Sequence, residues 1–212
     1  MDAAFWHQRW DQNQIAFHEG TPNKLLVQHL DALALPPGAR VFLPLCGKTQ
    51  DIGWLLNQGY QVAGAELSAS AVEQLFAELG RTPVITTKGE MQHHADEGLD
   101  IFVGDIFALT GQALGAVDAI YDRAALVALP DSMRKRYAAH LRTVTSHARQ
   151  LLLCFEYDQH AMAGPPFSIN GDMVAQLYQD HYSLTQLACI DVPGGLKGLH
   201  PAKETAWLLQ TV

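Results

Sequence analysis

A glycine turn and a carboxylate are the residues of this chain whose types and spacing best suit ligand binding. Cys46 and Gly47 follow the apolar run of residues 41–45, and Glu66 lies near the end of a second apolar run. A glycine turn lets a ligand approach the backbone closely, and a carboxylate at the end of the next strand accepts hydrogen bonds from two ribose hydroxyls. The pattern therefore predicts a cofactor that contains a nucleoside, with its ribose bound by Glu66.

A strand, a helix and a second strand must hold these residues together. Residues 41–45 have the composition of a strand buried on both faces, and residues 61–67 form a second such strand. The helix between them is indicated by apolar residues at helical spacing: Ile52, Leu55 and Leu56. Gly59 ends that helix, because glycine readily adopts the left-handed conformation of a helix terminus.

Other ligands fit this turn less well. Gly47, Lys48 and Thr49 resemble the end of a phosphate-binding loop, but that motif needs a glycine where this chain has Phe42. A dinucleotide would need the G-x-G-x-x-G pattern, and the single glycine of PLCGKT favours S-adenosylmethionine instead. The residues alone leave other interpretations open: an NAD-dependent oxidoreductase, a cofactor-binding protein without catalysis, and a Glu66 that merely faces solvent.

Size, charge and composition exclude several classes of protein. A chain of 212 residues with 48% hydrophobic content should form one domain, with residues 1–38 as a helical cover and 39–212 as the core. The net charge of −8 argues against a nucleic-acid-binding protein, and no apolar run approaches the roughly 18 residues of a membrane span. Three scattered cysteines and the lack of a signal-peptide pattern predict a cytoplasmic protein. We expect a monomer that acts on a small molecule.

Large aromatic side chains crowd the N-terminal segment. Phe5, Trp6 and Trp10 share one face of a predicted helix, and Phe17 follows. Aromatic side chains are costly to leave in water, so the segment either packs on the core or closes over the site as a lid.

Two further helix starts are predicted from capping residues. Thr21 followed by Pro22 predicts the start of a helix before the first strand. After the second strand, Ser70 and Glu73 have the spacing of a capping box, in which two side chains satisfy the first backbone N–H groups.

The segment of residues 81–98 shows no clear periodicity. His93 and His94 suggest a metal site, but adjacent side chains point apart on a helix or a strand, and no third ligand lies at zinc spacing. We therefore predict a solvated loop here and no metal site.

The remaining apolar runs complete an α/β fold. Three more parallel strands and a final pair joined by a turn are predicted at residues 101–106, 116–121, 151–155, 183–192 and 204–212. The predicted fold is a Rossmann-like, seven-stranded, mainly parallel sheet with helices on both faces and a C-terminal antiparallel hairpin.

Polar residues follow the fourth and fifth predicted strands, at the edge where such sheets bind ligands. Asp122 and Arg123 end the fourth strand, and a stiff loop that contains residues 164–167 follows the fifth. Arg123 could bind a ligand or could equally form a structural ion pair with Asp122 or Asp105.

Several stretches of the sequence resemble the thiopurine S-methyltransferase family, most closely its bacterial members. They occur in the family's order and cover nearly the whole chain: WHQRWDQNQIAFH, RVFLPLCGKTQDIGWL, GYQVAGAELSASAVEQLF, YDRAALVALPDSMRKRYA and GPPF. The PLCGK turn is the most specific of them, because it stands where other methyltransferases have an acidic glycine-rich turn. Residues 81–98 and 193–203 match the family poorly.

The resemblance implies roles for four residues around S-adenosylmethionine. Trp10 would cover the methionine part of the cofactor, and Leu45 would line the same pocket with backbone contacts. Glu66 would hold the ribose hydroxyls, in agreement with the turn pattern, and Ile106 would lie against the adenine.

The resemblance also implies the reaction and its acceptor. Arg123 would face the cofactor carboxylate or the substrate, and Phe17 would border the acceptor pocket. The implied activity is methyl transfer to a thiol or selenol of a small aromatic or heterocyclic molecule, with selenium or tellurium compounds as further acceptors. We expect no obligatory general base, because aromatic thiols are more acidic than the cysteine reference pKa of about 8.5.

Overall fold

The structure is a computed structural model that describes residues 3–12, 14, 15 and 19–212. Its strands are β1 (Arg40–Pro44), β2 (Gln61–Glu66), β3 (Val84–Lys88), β4 (Met91–Asp96), β5 (Leu99–Val103), β6 (Ala119–Asp122), β7 (Arg149–Tyr157), β8 (Tyr182–Asp191) and β9 (Ala202–Thr211). Its helices are α1 (Ala3–Asp11), α2 (Lys24–His29), α3 (Gln50–Asn57), α4 (Ala69–Glu78), α5 (Gly111–Leu114), α6 (Asp131–Val144) and α7 (Gly171–Tyr178).

All of these strands belong to one mixed sheet, in the order β3-β4-β5-β2-β1-β6-β7-β9-β8. The central strands β5, β2, β1, β6 and β7 are parallel, whereas β9 is antiparallel to both β7 and β8. The predicted mainly parallel sheet with a C-terminal antiparallel hairpin is therefore confirmed. We call the edge at which the parallel strands end the carboxyl edge, and the opposite edge the amino edge.

Helices cover both faces of the sheet, as predicted. Apolar residues of α2, α3 and α4 pack on one face, where Val41 and Leu43 of β1 point. Apolar residues of α5, α6 and α7 pack on the other face, against Phe42. Because helices cover both faces of β1, both sets of its side chains are buried. This is why residues 41–45 form a continuous apolar run and do not alternate between apolar and polar. In the described residues, no helix combines the length and the apolar character needed to cross a bilayer.

The prediction of a solvated loop at residues 81–98 is wrong. The segment forms an antiparallel hairpin of β3 and β4 that extends the sheet beyond the seven predicted strands to nine. His93 and His94 are 6% and 3% exposed, because β4 pairs with β5. The ring of His93 stacks on Phe102 with 4.8 Å between centroids, and its Nε2 lies 2.6 Å from an oxygen of Asp100. These tertiary contacts bury polar residues that carry no apolar strand pattern.

Two predicted helix starts lie at other residues. Helix α2 is capped by Asn23, whose Oδ1 accepts a hydrogen bond from the N–H of Leu25 at 2.8 Å, and not by a cap at Thr21. Helix α4 is capped by Ser68, whose Oγ accepts from the N–H of Ala71 at 3.3 Å, and not by Ser70. Asn and Ser are both good caps, so local composition alone does not choose between neighbouring candidates.

Candidate active site

Glu66 is buried at the carboxyl edge, where it joins two turns. It ends β2 with 6% exposure, and its Oε2 accepts a hydrogen bond from the N–H of Gly47 at 2.8 Å. Its Oε1 accepts from the N–H of Ser68 at 2.9 Å. Burial raises the pKa of Glu66 above its ordinary value, although these N–H groups act in the opposite direction. The carboxylate is therefore oriented by the backbone, and the alternative of a merely solvent-facing strand end does not describe it.

Trp10 lies directly over the glycine turn. Gly47 has a φ of +53°, and a Cβ added there would lie 3.0 Å from Cζ2 of the Trp10 indole. Trp10 is 6% exposed, so the indole is held against this turn by helix α1. Glycine is needed here both for the left-handed backbone and for the close approach of the ring.

The residues beside Gly47 shape the same turn. Leu45 has a φ of +48°, which is uncommon for a residue with a side chain. The N–H of Cys46 donates to the carbonyl of Ala65 on β2 at 3.0 Å. Gly64 has no room for a side chain, because its Cβ would lie 2.7 Å from Sγ of Cys46. Burial, followed by the charge of Glu66, raises the pKa of the Cys46 thiol well above its ordinary value, so this thiol stays protonated.

Ile106 follows β5 at the carboxyl edge, where it belongs to the hydrophobic core. It is 4% exposed and begins a short 3₁₀ turn in which Oδ1 of Asp105 accepts from the N–H of Phe107 at 3.0 Å. Because β5, β2 and β1 are neighbours, Ile106, Glu66 and Leu45 lie in that order along the carboxyl edge.

Asp122 is fully buried at the end of β6, and it holds the following turn. Its Oδ1 accepts from the N–H of Leu126 at 3.0 Å, and its Oδ2 accepts from the hydroxyl of Tyr137 at 2.8 Å. Burial raises the pKa of Asp122 to about 6, against the effect of these donors. This carboxylate points into the layer of α6.

Arg123 pairs with Glu19, a residue that sequence reasoning did not identify. Nη2 of Arg123 lies 2.7 Å from Oε1 of Glu19, so the two ion-pair partners predicted as alternatives, Asp122 and Asp105, are not the ones observed in this contact. Burial acts to lower the pKa of Arg123, but Glu19 and then Tyr121 and other acidic groups outweigh it, and the pKa is raised. A glutamate four residues before a helix cap carries no sequence signal for this pairing.

A network of buried polar groups lies behind Arg123. Oδ1 of Asp51 accepts from the N–H of Asn23 at 2.7 Å, and its Oδ2 accepts from the hydroxyl of Tyr121 at 3.1 Å. The side-chain amide of Asn23 donates to Oε1 of Glu204 on β9 at 3.1 Å. The cap of α2 thereby ties together α3, β6 and β9 beneath the carboxyl edge.

Two loops close the side of the site beyond β6. The N–H of Phe167 donates to the carbonyl of Val127 at 2.6 Å, and the hydroxyl of Tyr157 donates to the carbonyl of Pro166 at 2.6 Å. Nζ of Lys197, in the β8–β9 loop, donates to the carbonyl of Pro165 at 3.2 Å. We call residues 158–168 and 192–201 the acceptor-side loops. A depression of about 320 Å³ lies at the base of the second loop, away from Glu66.

The structure thus places five of the six predicted site residues at the carboxyl edge or over it. These are Trp10, Leu45, Glu66, Ile106 and Arg123. Phe17 lies outside the described residues. Within those residues, no group of three or more His, Cys, Asp or Glu side chains could hold a metal ion.

Solved structures of other proteins share the fold of this chain. A Burkholderia thailandensis 1,6-didemethyltoxoflavin-N1-methyltransferase, solved with S-adenosylhomocysteine, superposes with a TM-score of 0.68 at 16% identity, over 99% of this chain and 87% of that one. A magnesium protoporphyrin IX methyltransferase from Synechocystis, also with bound S-adenosylhomocysteine, gives a TM-score of 0.64 at 14% identity, over 99% and 100% of the two chains. The fold is that of S-adenosylmethionine-dependent methyltransferases.

Sequence comparison then identifies the family. The family model described as thiopurine S-methyltransferase matches residues 1–210. A thiopurine S-methyltransferase of Xanthobacter autotrophicus is 57% identical over 211 residues, which cover 99% of each chain. One from Gluconobacter oxydans is 45% identical over 206 residues, covering 97% of this chain and 94% of the relative. The chain belongs to the thiopurine S-methyltransferase family, and it is a methyltransferase whose methyl donor is S-adenosylmethionine.

Proposed function

We propose that this enzyme methylates the sulfur of small aromatic or heterocyclic thiols in the cytoplasm, and that the whole chain acts as one domain. The proposal is carried by the order of groups along the carboxyl edge. Ile106, Glu66 and the Leu45 turn under Trp10 occupy the ends of β5, β2 and β1, and Arg123 follows on β6. A cofactor laid along this edge, with its adenine at Ile106, would bring its methionine end beside Arg123 and the acceptor-side loops.

The residues fit S-adenosylmethionine. Each carboxylate oxygen of Glu66 accepts one backbone hydrogen bond, and an oxygen of this kind has two lone pairs. Both oxygens therefore retain capacity for a ribose hydroxyl, in an orientation that the backbone has already set. The Trp10 indole lies against Gly47, and an aromatic ring beside the cationic sulfonium would contribute about 0.5–2 kcal/mol.

The chain contributes alignment and exclusion of water. When bound, the cofactor supplies an electrophilic methyl group on a sulfonium, which the acceptor sulfur takes in an in-line displacement. Glu66 and Trp10 would hold one reactant, and the acceptor-side loops would confine the other. Holding two reactants in near-attack geometry can supply roughly 7–11 kcal/mol of the barrier. Flat, apolar acceptors would suit confinement between these loops, and selenols offer the same chemistry with a softer nucleophile.

No side chain of this site is proposed as an obligatory general base. Asp122 points away, to Tyr137 and the N–H of Leu126, and the thiol of Cys46 is held protonated. Arg123 would favour the anionic form of a nearby thiol. The proton of the acceptor would therefore be lost to water before transfer.

The decisive experiment is methylation of a series of substituted thiophenols. We expect transfer of the methyl group to sulfur, with a pH dependence of kcat/KM that follows the pKa of each acceptor. A pH profile that stays unchanged while the acceptor's pKa varies would show that the enzyme supplies a base. Absence of methylation across thiols and selenols would contradict the proposed acceptor class.

Cofactor binding can be tested separately by thermal unfolding. S-adenosylhomocysteine at 100 times its dissociation constant should add about 2.7 kcal/mol to stability. NAD at the same concentration should have no effect, because the turn has one glycine where a pyrophosphate needs several. Stabilisation by NAD alone would favour the oxidoreductase.

A further inference from the structure

We propose that Glu19 is a specificity-determining residue, which disfavours acceptors that carry a carboxylate by occupying Arg123. The inference rests on the proposed function, because it assumes a thiol acceptor that passes Arg123. It names a property of the acceptor, its charge, that the family assignment leaves undetermined.

The two partners of this ion pair differ in how freely they can move. The side chain of Arg123 is 10% exposed, whereas that of Glu19 is 48% exposed, and their closest atoms are 2.7 Å apart. Glu19 precedes the cap of α2 at Asn23, so it belongs to no helix or strand. An incoming group that competes for the guanidinium would therefore displace Glu19 into water, while Arg123 stays in place.

The charges around Arg123 make that competition costly for an anion. Besides Glu19, the carboxylates of Asp51 and Glu204 lie close enough to stabilise the charged guanidinium. An acceptor carboxylate would have to displace Glu19 and then remain beside Asp51 and Glu204. Like charges brought together in a partly buried site are strongly disfavoured. A neutral acceptor of the same shape meets neither obstacle.

The position of Arg123 puts it where an acceptor would enter. It follows β6, which pairs with β1 on one side and with β7 on the other. The glycine turn of the cofactor site follows β1, and the first acceptor-side loop follows β7. An acceptor held between these two regions comes next to the Arg123–Glu19 pair.

The test compares two acceptors of the same shape and different charge, 4-mercaptobenzoate and 4-mercaptobenzamide. In Glu19→Gln the ratio of kcat/KM for 4-mercaptobenzoate over that for 4-mercaptobenzamide should rise about tenfold. The reason is that the neutral side chain introduced at position 19 competes less well than a carboxylate for Arg123. The benzamide rate alone should stay at the wild-type value. Glu19→Asp, which keeps the charge, should retain the wild-type ratio. As a matched control, Asp96→Asn removes the partly exposed partner of Arg81 at the amino edge, and it should leave the ratio unchanged.

Each failure has a different meaning. If the wild-type enzyme methylates neither these two thiols nor any other thiol or selenol, the proposed function itself is wrong. If it methylates other thiols but not the benzamide, the inference about Glu19 is overturned, because a neutral acceptor of this shape is then rejected as well. If it methylates the benzamide but Glu19→Gln leaves the ratio unchanged, or alters both acceptors equally, the inference about Glu19 is overturned. An unchanged ratio together with tighter binding of S-adenosylhomocysteine in calorimetry would also overturn it, by showing that Glu19 competes with the cofactor's carboxylate.

Discussion

Carboxylates at the two edges of the sheet are held in different ways. At the amino edge, Oδ2 of Asp100 lies 2.6 Å from Nη2 of Arg40, and its Oδ1 lies 2.6 Å from Nε2 of His93. At the carboxyl edge, Glu66 and Asp122 are more deeply buried and accept their hydrogen bonds from N–H and O–H groups. Asp100 is thus neutralised by basic side chains, whereas Glu66 and Asp122 are oriented by neutral donors.

The pKa values show the consequence. Burial acts to raise the pKa of Asp100, but His93 and Arg40 outweigh it, and the pKa is lowered. At the other edge burial prevails, and the pKa values of Glu66 and Asp122 are raised. A raised carboxyl pKa means that the charged form destabilises the fold. Glu66 and Asp122, at the edge where we propose that the cofactor binds, therefore carry a stability cost when charged, whereas Asp100 contributes stability.

The largest expected effect concerns Asp122. The folded state holds the Asp122 proton more tightly than the unfolded chain, whose pKa is about 3.9. Its contribution to stability is therefore fully present below about pH 4 and is lost as the pH rises through about 6. The shift corresponds to a change of the order of 3 kcal/mol. Urea unfolding of the wild type and of Asp122→Asn from pH 4 to 7 should show a difference that varies with pH by about this amount.

A constant difference between these two proteins over that range would contradict the raised pKa. Tyr137→Phe offers a second variant, because it removes the donor to Oδ2 and keeps the carboxyl group. Loss of this donor should raise the pKa of Asp122 further and move the decline to higher pH.

Glu66 should contribute the next largest effect, on cofactor affinity. Glu66→Gln removes the charge and places an amide N–H2 against one of two backbone donors, so S-adenosylhomocysteine should bind about 1.5–3 kcal/mol more weakly. Glu73→Gln, an exposed position in the same region, is the control and should bind as wild type. If calorimetry finds that Glu66→Gln binds S-adenosylhomocysteine as tightly as the wild type, Glu66 is not part of the cofactor site.

The contact between Trp10 and the turn can be tested with two glycines. Gly47→Ala and Gly59→Ala both place a side chain at positive φ, +53° and +85°, and each should lower the unfolding free energy by about 1–2 kcal/mol. Only at position 47 would the new Cβ meet Trp10, since nothing lies within 4 Å at position 59. Gly47→Ala alone should therefore weaken binding of S-adenosylhomocysteine. Equal affinity in the two variants would mean that Trp10 does not cover the cofactor.

The smallest expected effect belongs to the amino edge and has the opposite sign with pH. Because the pKa of Asp100 is lowered, its stabilisation is present above about pH 4 and is lost as the pH falls through the folded pKa. Asp100→Asn should cost about 1 kcal/mol at pH 7 and less at pH 3, since the carboxylate is partly exposed. Asp180→Asn, at an exposed position, serves as the control. If the cost of Asp100→Asn grew towards low pH, the comparison of the two edges would not hold.

The sequence by itself determined the parallel core and the position of Glu66. Their signals are short-ranged: apolar runs define the strands, helical spacing defines α3, and Glu66 meets Gly47 only 19 residues away. In such a unit the local conformation dictates where the ends of the strands lie, so a pattern of residue types is enough to predict the carboxylate and its turn.

Tertiary structure alone decided the β3–β4 hairpin and the surroundings of Arg123. Every residue of β3 is exposed, so burial in the core does not define the strand, which is held by its pairing with β4. Asn23 and Glu204 are 181 residues apart, and their contact depends on β9 lying beside β7. Glu19 and Arg123 are also far apart in the sequence, and only the folded chain brings them into contact. No local pattern of residue types predicts this pair. Contacts between polar side chains follow from which strands are neighbours, and that order is a property of the folded chain.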